Sequence, residues 1–147
     1  MITLRRLSPE DWKVWRELRL AALSEAPHAF KTKLSDWQDA DESRWRQRLA
    51  EVELNVLAEC DGKPAGIVSG AQLADGTVHL LSMYVAPFAR GRGAGDELVR
   101  AVVRWAGDRR VLLRVFDDNE AARKLYRRNG FVAHGRFGRE REMEYRG

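Results

Sequence analysis

Cysteine, histidine and long apolar runs are scarce in this sequence, and each scarcity narrows what the chain can do. The single cysteine, Cys60, excludes a disulfide within the 147 residues, and three scattered histidines leave no Cys/His spacing suited to zinc. No apolar run approaches the roughly 18 to 20 residues of a membrane span. The first residues, MITLRRLSPEDW, lack the pattern of an export signal. We therefore expect no metal site, no membrane partner and a cytoplasmic location, with Cys60 as a buried strand residue.

The sequence also has no large excess of charge of one sign. The chain has 26 basic and 22 acidic residues, a net charge of +4, and acids are interleaved through Arg-rich stretches such as RWRQRLAEVE. This pattern is typical of solvated faces rather than of a surface that follows phosphates, so we expect no nucleic-acid partner. A nucleic-acid-binding domain is the weaker alternative, favoured only by five tryptophans and a pI near 9.6. Arginine outnumbers lysine by 21 to 5, which indicates a GC-rich bacterial genome.

The patterns that are present fit one mixed domain over residues 1–147. Start signals and helical spacing predict helices over about 9–24 and 42–50, with an irregular or partly helical segment over 31–41. Alternating apolar residues and Asp-Gly turns predict an antiparallel meander of strands over 54–60, 65–73 and 77–85. A helix from about 93 to 107, a buried strand over 109–116, a helix over 119–130 and closing strands over 131–137 and 141–146 follow. The fold class is α+β (mixed α/β), in the order β-α-α-β-β-β-α-β-α-β-β.

The stretch PFARGRGAGDEL, residues 87–98, places three glycines within five positions between a strand and a helix. Such a turn lets the backbone curl tightly, and the free N–H groups at the helix start would bind an anion such as pyrophosphate. The spacing differs from a dinucleotide-binding fingerprint because Asp96 stands at its sixth position, and a P-loop is excluded because no Gly-Lys-Ser/Thr follows. An anion-binding turn is therefore favoured over a merely tight connection.

Two segments resemble the GNAT family of N-acetyltransferases. MYVAPFARGRGAGDELV is similar to that family's acetyl-CoA-binding signature, in which an Arg or Gln is followed by two residues, a Gly, one residue, and a Gly or Ala. Arg90, Gly93 and Gly95 stand in these places. DDNEAARKLYRRNGFV resembles a later region of the family, and its matching residues are Asn119, Ala122, Tyr126, Gly130 and Phe131. The motifs stand in the family's order, and the element order agrees with it over nearly the whole chain.

The resemblance implies a GNAT-like acyl-CoA acyltransferase fold, with a central twisted, mostly antiparallel sheet flanked by helices. It implies acetyl-CoA as the acyl donor, an amine acceptor, and direct transfer of an acetyl group to a primary amine of a small molecule, peptide or protein. The side chain of Arg90 or Arg92 would add charge at the diphosphate. The residues expected to contact acetyl-CoA are Met83, Tyr84, Val85, Arg90, Gly91, Arg92, Gly93, Ala94, Gly95, Asn119 and Tyr126.

The resemblance also implies catalytic roles. Tyr126 is expected to hydrogen-bond to, or protonate, the thiolate leaving group. Several relatives use a carboxylate base on the fourth strand, where TVHLLSMYV has none, so His79 is the candidate base and Glu59 an alternative. Residues 26–45 and 134–144 are expected to shape the acceptor pocket. A nonenzymatic acyl-CoA sensor on the same fold, which would not need Tyr126, is the main alternative, and a homodimer stays open because dimers are common among such proteins.

Overall fold

A computed structural model describes residues 1–147, apart from the side chain of His28. The described residues form one seven-stranded sheet in the order β1-β2-β3-β4-β5-β7-β6. Neighbouring strands are antiparallel except β4 and β5, which are parallel and are joined by a helix. The predicted meander and the mostly antiparallel sheet are confirmed. The strands are β1 (Ile2–Arg6), β2 (Leu54–Cys60), β3 (Lys63–Gln72), β4 (Val78–Val85), β5 (Val111–Phe116), β6 (Phe131–Phe137) and β7 (Glu140–Tyr145).

Several helical segments start at capping residues that the sequence supplies. The first predicted helix begins as a 3-10 turn over Pro9–Asp11, in which Ser8 and Asp11 form a capping box. Asp41 and Asn119 cap later helices by accepting hydrogen bonds from backbone N–H groups. The segment predicted to be partly helical contains one short helix. In the described residues the helices are α1 (Trp12–Glu25), α2 (Leu34–Trp37), α3 (Glu42–Glu51), α4 (Ala94–Ala106) and α5 (Glu120–Arg128).

Helices cover both faces of the sheet and so create two cores. On one face, α4 and α5 pack over the central strands, with Leu98 of α4 fully buried. On the other face, α1 and α3 pack Trp15 and Trp45 over β2, β3 and β4. β4 contributes to both cores, through Leu80 on one face and Tyr84 on the other. The strand that carries much of the predicted site is therefore supported from both sides.

Smaller features agree with the sequence or differ by a few residues. Cys60 is buried on β2, as predicted. β5 begins at Val111, two residues later than predicted, because Arg109 still belongs to a turn in which its N–H donates to the Ala106 carbonyl at 3.1 Å. In the described part of the chain, no helix combines the length and apolar character needed to cross a membrane.

Candidate active site

β4 and β5 separate after a short parallel contact. They pair only at Val78 with Val111 and at His79 with Leu112 in the described residues, although β4 continues as far as Val85. Beyond these pairs, the two parallel strands leave a gap at the centre of the sheet. In open sheets, such a separation at the carboxyl ends of parallel strands is a common place for ligands.

A β-bulge in β4 explains why the gap opens. β4 pairs with β3 at Leu81 with Ser69 and at Tyr84 with Ile67, which leaves one extra β4 residue between these pairs. Ser82 has a φ of 57°, in the left-handed region that residues other than glycine rarely adopt. Because a bulge bends its strand and increases the local twist, β4 turns away from β5 beyond this point.

The backbone of β4 beyond the bulge offers unpaired groups to the gap. Ala86 donates its N–H to the Ala65 carbonyl on the β3 side at 2.7 Å. Backbone groups alternate in direction along a strand, so the N–H groups of Val85 and Met83 face the gap. An extended ligand could therefore bind here as an added strand does.

Three glycines shape the turn after β4 for two different reasons. Gly91 and Gly93 have φ values of 78° and 89°, and a Cβ at either would meet nothing within 4 Å, so the positive φ explains both. Gly95 lies inside α4, where a Cβ would stand 3.2 Å from Leu125 of α5, so close packing explains it. Gly93 is the N-cap of α4 and supplies no capping side chain. The first N–H groups of α4 are thus available to an anion.

An acidic side chain at this helix start already has its counter-ion. Asp96, in the first turn of α4, accepts hydrogen bonds from Arg128 and Asn129 at 2.8 Å each. The bond from Arg128 lowers the pKa of Asp96, so the carboxylate is ionised and its charge is compensated. These bonds join α4 to α5 and weaken the repulsion that Asp96 would exert on an anionic ligand.

The main cavity, of about 950 Å³, lies between the gap and the glycine turn. Two of the predicted acetyl-CoA contacts do not line it. Tyr126 lines an adjoining cavity instead, and the Arg92 guanidinium lies 3.3 Å from the Cys60 sulfur and 3.7 Å from an Asp61 carboxylate oxygen. The predicted residues that do line the main cavity are Met83, Tyr84, Val85, Arg90, Gly91, Gly93, Ala94, Gly95 and Asn119.

Glu25, at the end of α1, lines the main cavity and was missed by the sequence analysis. Its carboxylate accepts hydrogen bonds of 2.5 Å from the Tyr84 hydroxyl and from the Arg90 guanidinium. The bond from Tyr84 lowers the pKa of Glu25, while burial and then this bond raise the pKa of Tyr84 to about 12. Arg90 also donates to the Val85 carbonyl at 3.1 Å. Its guanidinium, like that of Arg92, is therefore paired within the protein.

The tyrosine cavity, of about 280 Å³, adjoins the main cavity and is lined by Tyr126 and His79. Met83 and Asn119 line both cavities. Tyr126 is 6% exposed, and burial raises its pKa. His79 is half-buried, and burial lowers its pKa below the ordinary value of 6.5. At neutral pH the cavity therefore combines a neutral phenol, which donates a hydrogen bond, with a neutral imidazole, which accepts a proton.

Asn119 and Glu59 have different positions relative to the site. The Asn119 side-chain oxygen accepts the capping bond from the Ala122 N–H at 3.2 Å, and the residue lines both cavities. Glu59 lies on β2, with β3 between it and β4, and its carboxylate is 3.9 Å from Arg5. The structure therefore does not bring Glu59 to either cavity.

The two segments expected to shape the acceptor pocket meet at the tyrosine cavity. Lys31, from the first segment, forms an ion pair of 2.9 Å with Glu140, from the second. Both residues line the tyrosine cavity, as does Phe30. An acceptor that entered this cavity would therefore contact both segments.

The separated strands, the glycine turn at a helix start and the adjoining buried tyrosine define an acyltransferase of the GNAT type. The family model described as the acetyltransferase (GNAT) family matches residues 12–131. The chain therefore belongs to the acetyltransferase (GNAT) family, as its two motifs predicted.

Known relatives agree with this assignment. The chain is 25% identical to YafP, an uncharacterized N-acetyltransferase of Escherichia coli (strain K12), over 88% of this chain and 81% of YafP. The fold is similar to that of PaiA N-acetyltransferase from Thermoplasma acidophilum in complex with coenzyme A, with a TM-score of 0.81, 19% identity, and coverage of 100% and 99% of the two chains. YncA from Salmonella typhimurium, with acetyl-CoA, gives a TM-score of 0.77 at 20% identity over 99% and 94%. The predicted GNAT-like fold is confirmed.

Proposed function

We propose that this chain transfers the acetyl group of acetyl-CoA directly to a primary amine of a small molecule, peptide or protein. One observation carries the proposal: the strand gap and glycine turn line one cavity, and Tyr126 and His79 line the cavity that adjoins it. Family membership supports acetyl transfer. The coenzyme A bound by PaiA and the acetyl-CoA bound by YncA support this donor.

The backbone would hold most of the donor. The N–H groups of Met83 and Val85 would bind the pantetheine arm along the gap. The diphosphate would bind the N–H groups of residues 91–95, at the positive end of the α4 dipole. Arg90 and Asp96, which already have partners, would shape this site more than they would add charge to it.

The reaction would need one nucleophilic attack and two proton movements. The neutral amine nitrogen attacks the thioester carbon, a C–N bond forms, and the C–S bond breaks with its electron pair on sulfur. A backbone N–H of β4 would stabilise the oxyanion that forms on the carbonyl oxygen. The amine gives up a proton, and the sulfur, whose thiol has a pKa of about 8.5, receives a hydrogen bond and then a proton.

Tyr126 and His79 suit the two proton movements. Because burial raises the pKa of Tyr126, its phenol stays protonated and would stabilise the leaving thiolate by donating a hydrogen bond. Because burial lowers the pKa of His79, its neutral imidazole would accept the proton of the amine, through a water.

Isothermal titration with acetyl-CoA tests the donor assignment. Gly93→Asp should abolish binding because it places a carboxylate at the anion site. Gly76→Asp is the matched control, since Gly76 lies in the β3–β4 turn with a φ of 87°, close to the 89° of Gly93, and a Cβ would meet nothing within 4 Å at either. Loss of binding in Gly93→Asp alone supports the proposal. No binding by the wild-type chain, or equal loss in both variants, would contradict it.

An acetylation screen over a panel of primary amines separates the enzyme from a nonenzymatic sensor. Turnover of any amine that depends on Tyr126 supports the enzyme, whereas tight acetyl-CoA binding without turnover would favour the sensor. The single domain over residues 1–147, the cytoplasmic location and the homodimer stay predictions. Light scattering on the purified chain measures the last of these.

A further inference from the structure

A third cavity, the arginine cavity, lies beside the tyrosine cavity and has a volume of about 260 Å³. Trp15 and Arg19 of α1, Arg48 of α3, and Leu81 and Ser82 of β4 define it. Leu81 and Ser82 also line the tyrosine cavity. A ligand in the arginine cavity would therefore need to extend only past the β4 bulge to reach the predicted catalytic side chains.

The two arginines of this cavity have no acidic partner. Neither guanidinium forms an ion pair with a carboxylate among the residues that the structure describes. Burial lowers the pKa of Arg19 and of Arg48 to about 10 each, and the charge of Arg19 adds to the effect on Arg48. Glu51 opposes this shift, but it forms no ion pair with Arg48, and its carboxylate accepts a hydrogen bond of 2.7 Å from Gln47. Two like charges thus lie near each other in a partly desolvated place, which is costly without a counter-ion.

Arg48 is bonded only to neutral groups. It donates to the side-chain oxygens of Asn55 and Ser69 at 3.0 Å each and of Ser82 at 3.4 Å. Its guanidinium also stacks on the Trp15 ring, 4.8 Å from the ring centre. These contacts fix the position of Arg48 but leave its charge uncompensated.

Two residues that line the cavity, Trp15 and Arg19, each carry a hydrogen-bond donor without a partner. The indole nitrogen of Trp15 and one terminal nitrogen of Arg19 are buried and have no hydrogen-bond partner among the described residues. Trp15 itself is 0% exposed. The two residues are four positions apart on α1, so their side chains lie on the same face of the helix. Buried donors without a partner are rare, and here both belong to residues that line the same cavity.

We propose that the arginine cavity binds a carboxylate of the acceptor, so that the acceptor is an amine that also carries a carboxylate. This inference rests on the proposed function. A carboxylate would offer an acceptor to the unpartnered donors of Trp15 and Arg19 and a counter-ion to the two guanidinium groups, which recognise this group well. Aromatic walls formed by Phe30, Trp37 and Trp45 suit an apolar body beside the carboxylate. The amine would then extend past the β4 bulge into the tyrosine cavity.

Phenylacetate is a suitable probe because it is a carboxylate with an apolar ring and no amine. In a ¹H–¹⁵N spectrum, adding phenylacetate should shift the resonance of the Trp15 indole N–H, because this group acquires a hydrogen-bond acceptor. The resonance is assigned by its loss in Trp15→Phe. The Trp105 indole, on α4 against the opposite face of the sheet, should not move. Phenylacetamide, which is neutral, is the matched ligand control and should have little effect. Two results would overturn the proposal. One is no shift of the Trp15 indole resonance with phenylacetate at tens of millimolar, and the other is a shift with inorganic phosphate but none with phenylacetate.

Arg19→Met removes the charge and the unpartnered donor while keeping an unbranched side chain similar to the aliphatic part of arginine. We expect it to weaken phenylacetate binding by about tenfold or more, because a charged hydrogen bond is lost. Arg16→Met, at an exposed position of the same helix, is the control and should leave the affinity unchanged. Equal affinities in the wild type and in Arg19→Met would overturn the proposal.

The two proposals can fail separately. The phenylacetate titration contains no acetyl-CoA, and the acetyl-CoA titration contains no acceptor. With acetyl-CoA present, Arg19→Met should raise the KM for 4-(aminomethyl)phenylacetate, whose amine and carboxylate stand at opposite ends, about tenfold and leave the KM for the corresponding amide nearly unchanged. Equal rises for both amines would point to a merely structural role for Arg19 and would overturn the inference while the proposed function stands.

Discussion

The main cavity and the arginine cavity differ in whether their charged side chains have counter-ions within the protein. In the main cavity, the charged side chains nearest the glycine turn have counter-ions within the protein, as Arg90 has Glu25 and Asp96 has Arg128. In the arginine cavity, Arg19 and Arg48 have no carboxylate partner among the described residues, and the hydrogen bonds of Arg48 go to neutral side chains. The first arrangement leaves anion binding to the backbone N–H groups of a turn and a helix start. The second leaves two guanidinium groups without a carboxylate partner, which the carboxylate of a ligand would supply.

The largest effect is expected at Tyr126, which lines the tyrosine cavity beside the main cavity and the arginine cavity. If this residue acts on the leaving group, Tyr126→Phe should lower kcat about 100-fold for every acceptor without changing the affinity for acetyl-CoA. Tyr145→Phe is the control. Tyr145 packs against Phe131, as Tyr126 does, with ring centres 5.6 Å apart, but it lines neither the main cavity nor the tyrosine cavity. Steady-state kinetics and titration measure the two quantities. A full kcat in Tyr126→Phe would show that the tyrosine is only a packing residue.

A smaller effect is expected on stability at Arg48. Arg48→Met should lower the free energy of unfolding by about 2 kcal/mol, because Asn55 and Ser69 lose a charged donor in a buried place. Arg46→Met, on the same helix, breaks a surface ion pair with Glu42 and should cost less than about 1 kcal/mol. Urea denaturation measures both. Greater stability in Arg48→Met would mean that the cost of burying two like charges exceeds the value of these bonds.

The pH dependence of catalysis tests His79. Burial lowers its pKa, so the wild-type kcat/KM should rise with pH through an apparent pKa below 6.5, as the imidazole loses its proton. His79→Gln should remove this acidic limb and lower kcat/KM about tenfold, since a water still accepts the proton slowly. An unchanged acidic limb in the variant would assign the base to another group.

The smallest effect is expected at Glu25, whose carboxylate accepts hydrogen bonds from Tyr84 and Arg90 at the main cavity. The bond from Tyr84 lowers the folded-state pKa of Glu25 below 4.5, so the ionised carboxylate adds stability above this value and loses it as the pH falls through the folded-state pKa. Glu25→Gln should therefore lower the free energy of unfolding at neutral pH by less than about 1 kcal/mol. The difference from the wild type should shrink in acid. A difference that grows as the pH falls would contradict this account of the pair.

Local patterns were sufficient to predict most of the fold. Apolar periodicity and capping residues such as Ser8 and Asn119 act within a few residues of the chain, so they mark helices and strands directly. The bulge at Ser82 was not predicted, because a positive φ at a serine has no sequence signal and depends on how β4 pairs with β3. The short β4–β5 contact likewise results from that bulge.

The difference between local sequence patterns and contacts made only in the folded chain also explains which parts of the site were predicted. The glycine turn and the Asn119 to Tyr126 helix are contiguous motifs, so they could be read from the chain. Glu25 and the arginine cavity depend on side chains that only the fold brings together. A weak signal existed for Arg19, which follows Trp15 by four positions and so interrupts the apolar stripe of α1. The side-chain direction of Arg92, toward Cys60 and away from the main cavity, had no such signal.

One paired titration tests the central contrast most directly. Acetyl-CoA and phenylacetate are each titrated into Gly93→Asp and into Arg19→Met. We predict that Gly93→Asp loses acetyl-CoA and keeps phenylacetate, while Arg19→Met keeps acetyl-CoA and binds phenylacetate about tenfold more weakly. If either variant weakens both ligands to the same degree, the two cavities do not bind anions independently, and the account is contradicted.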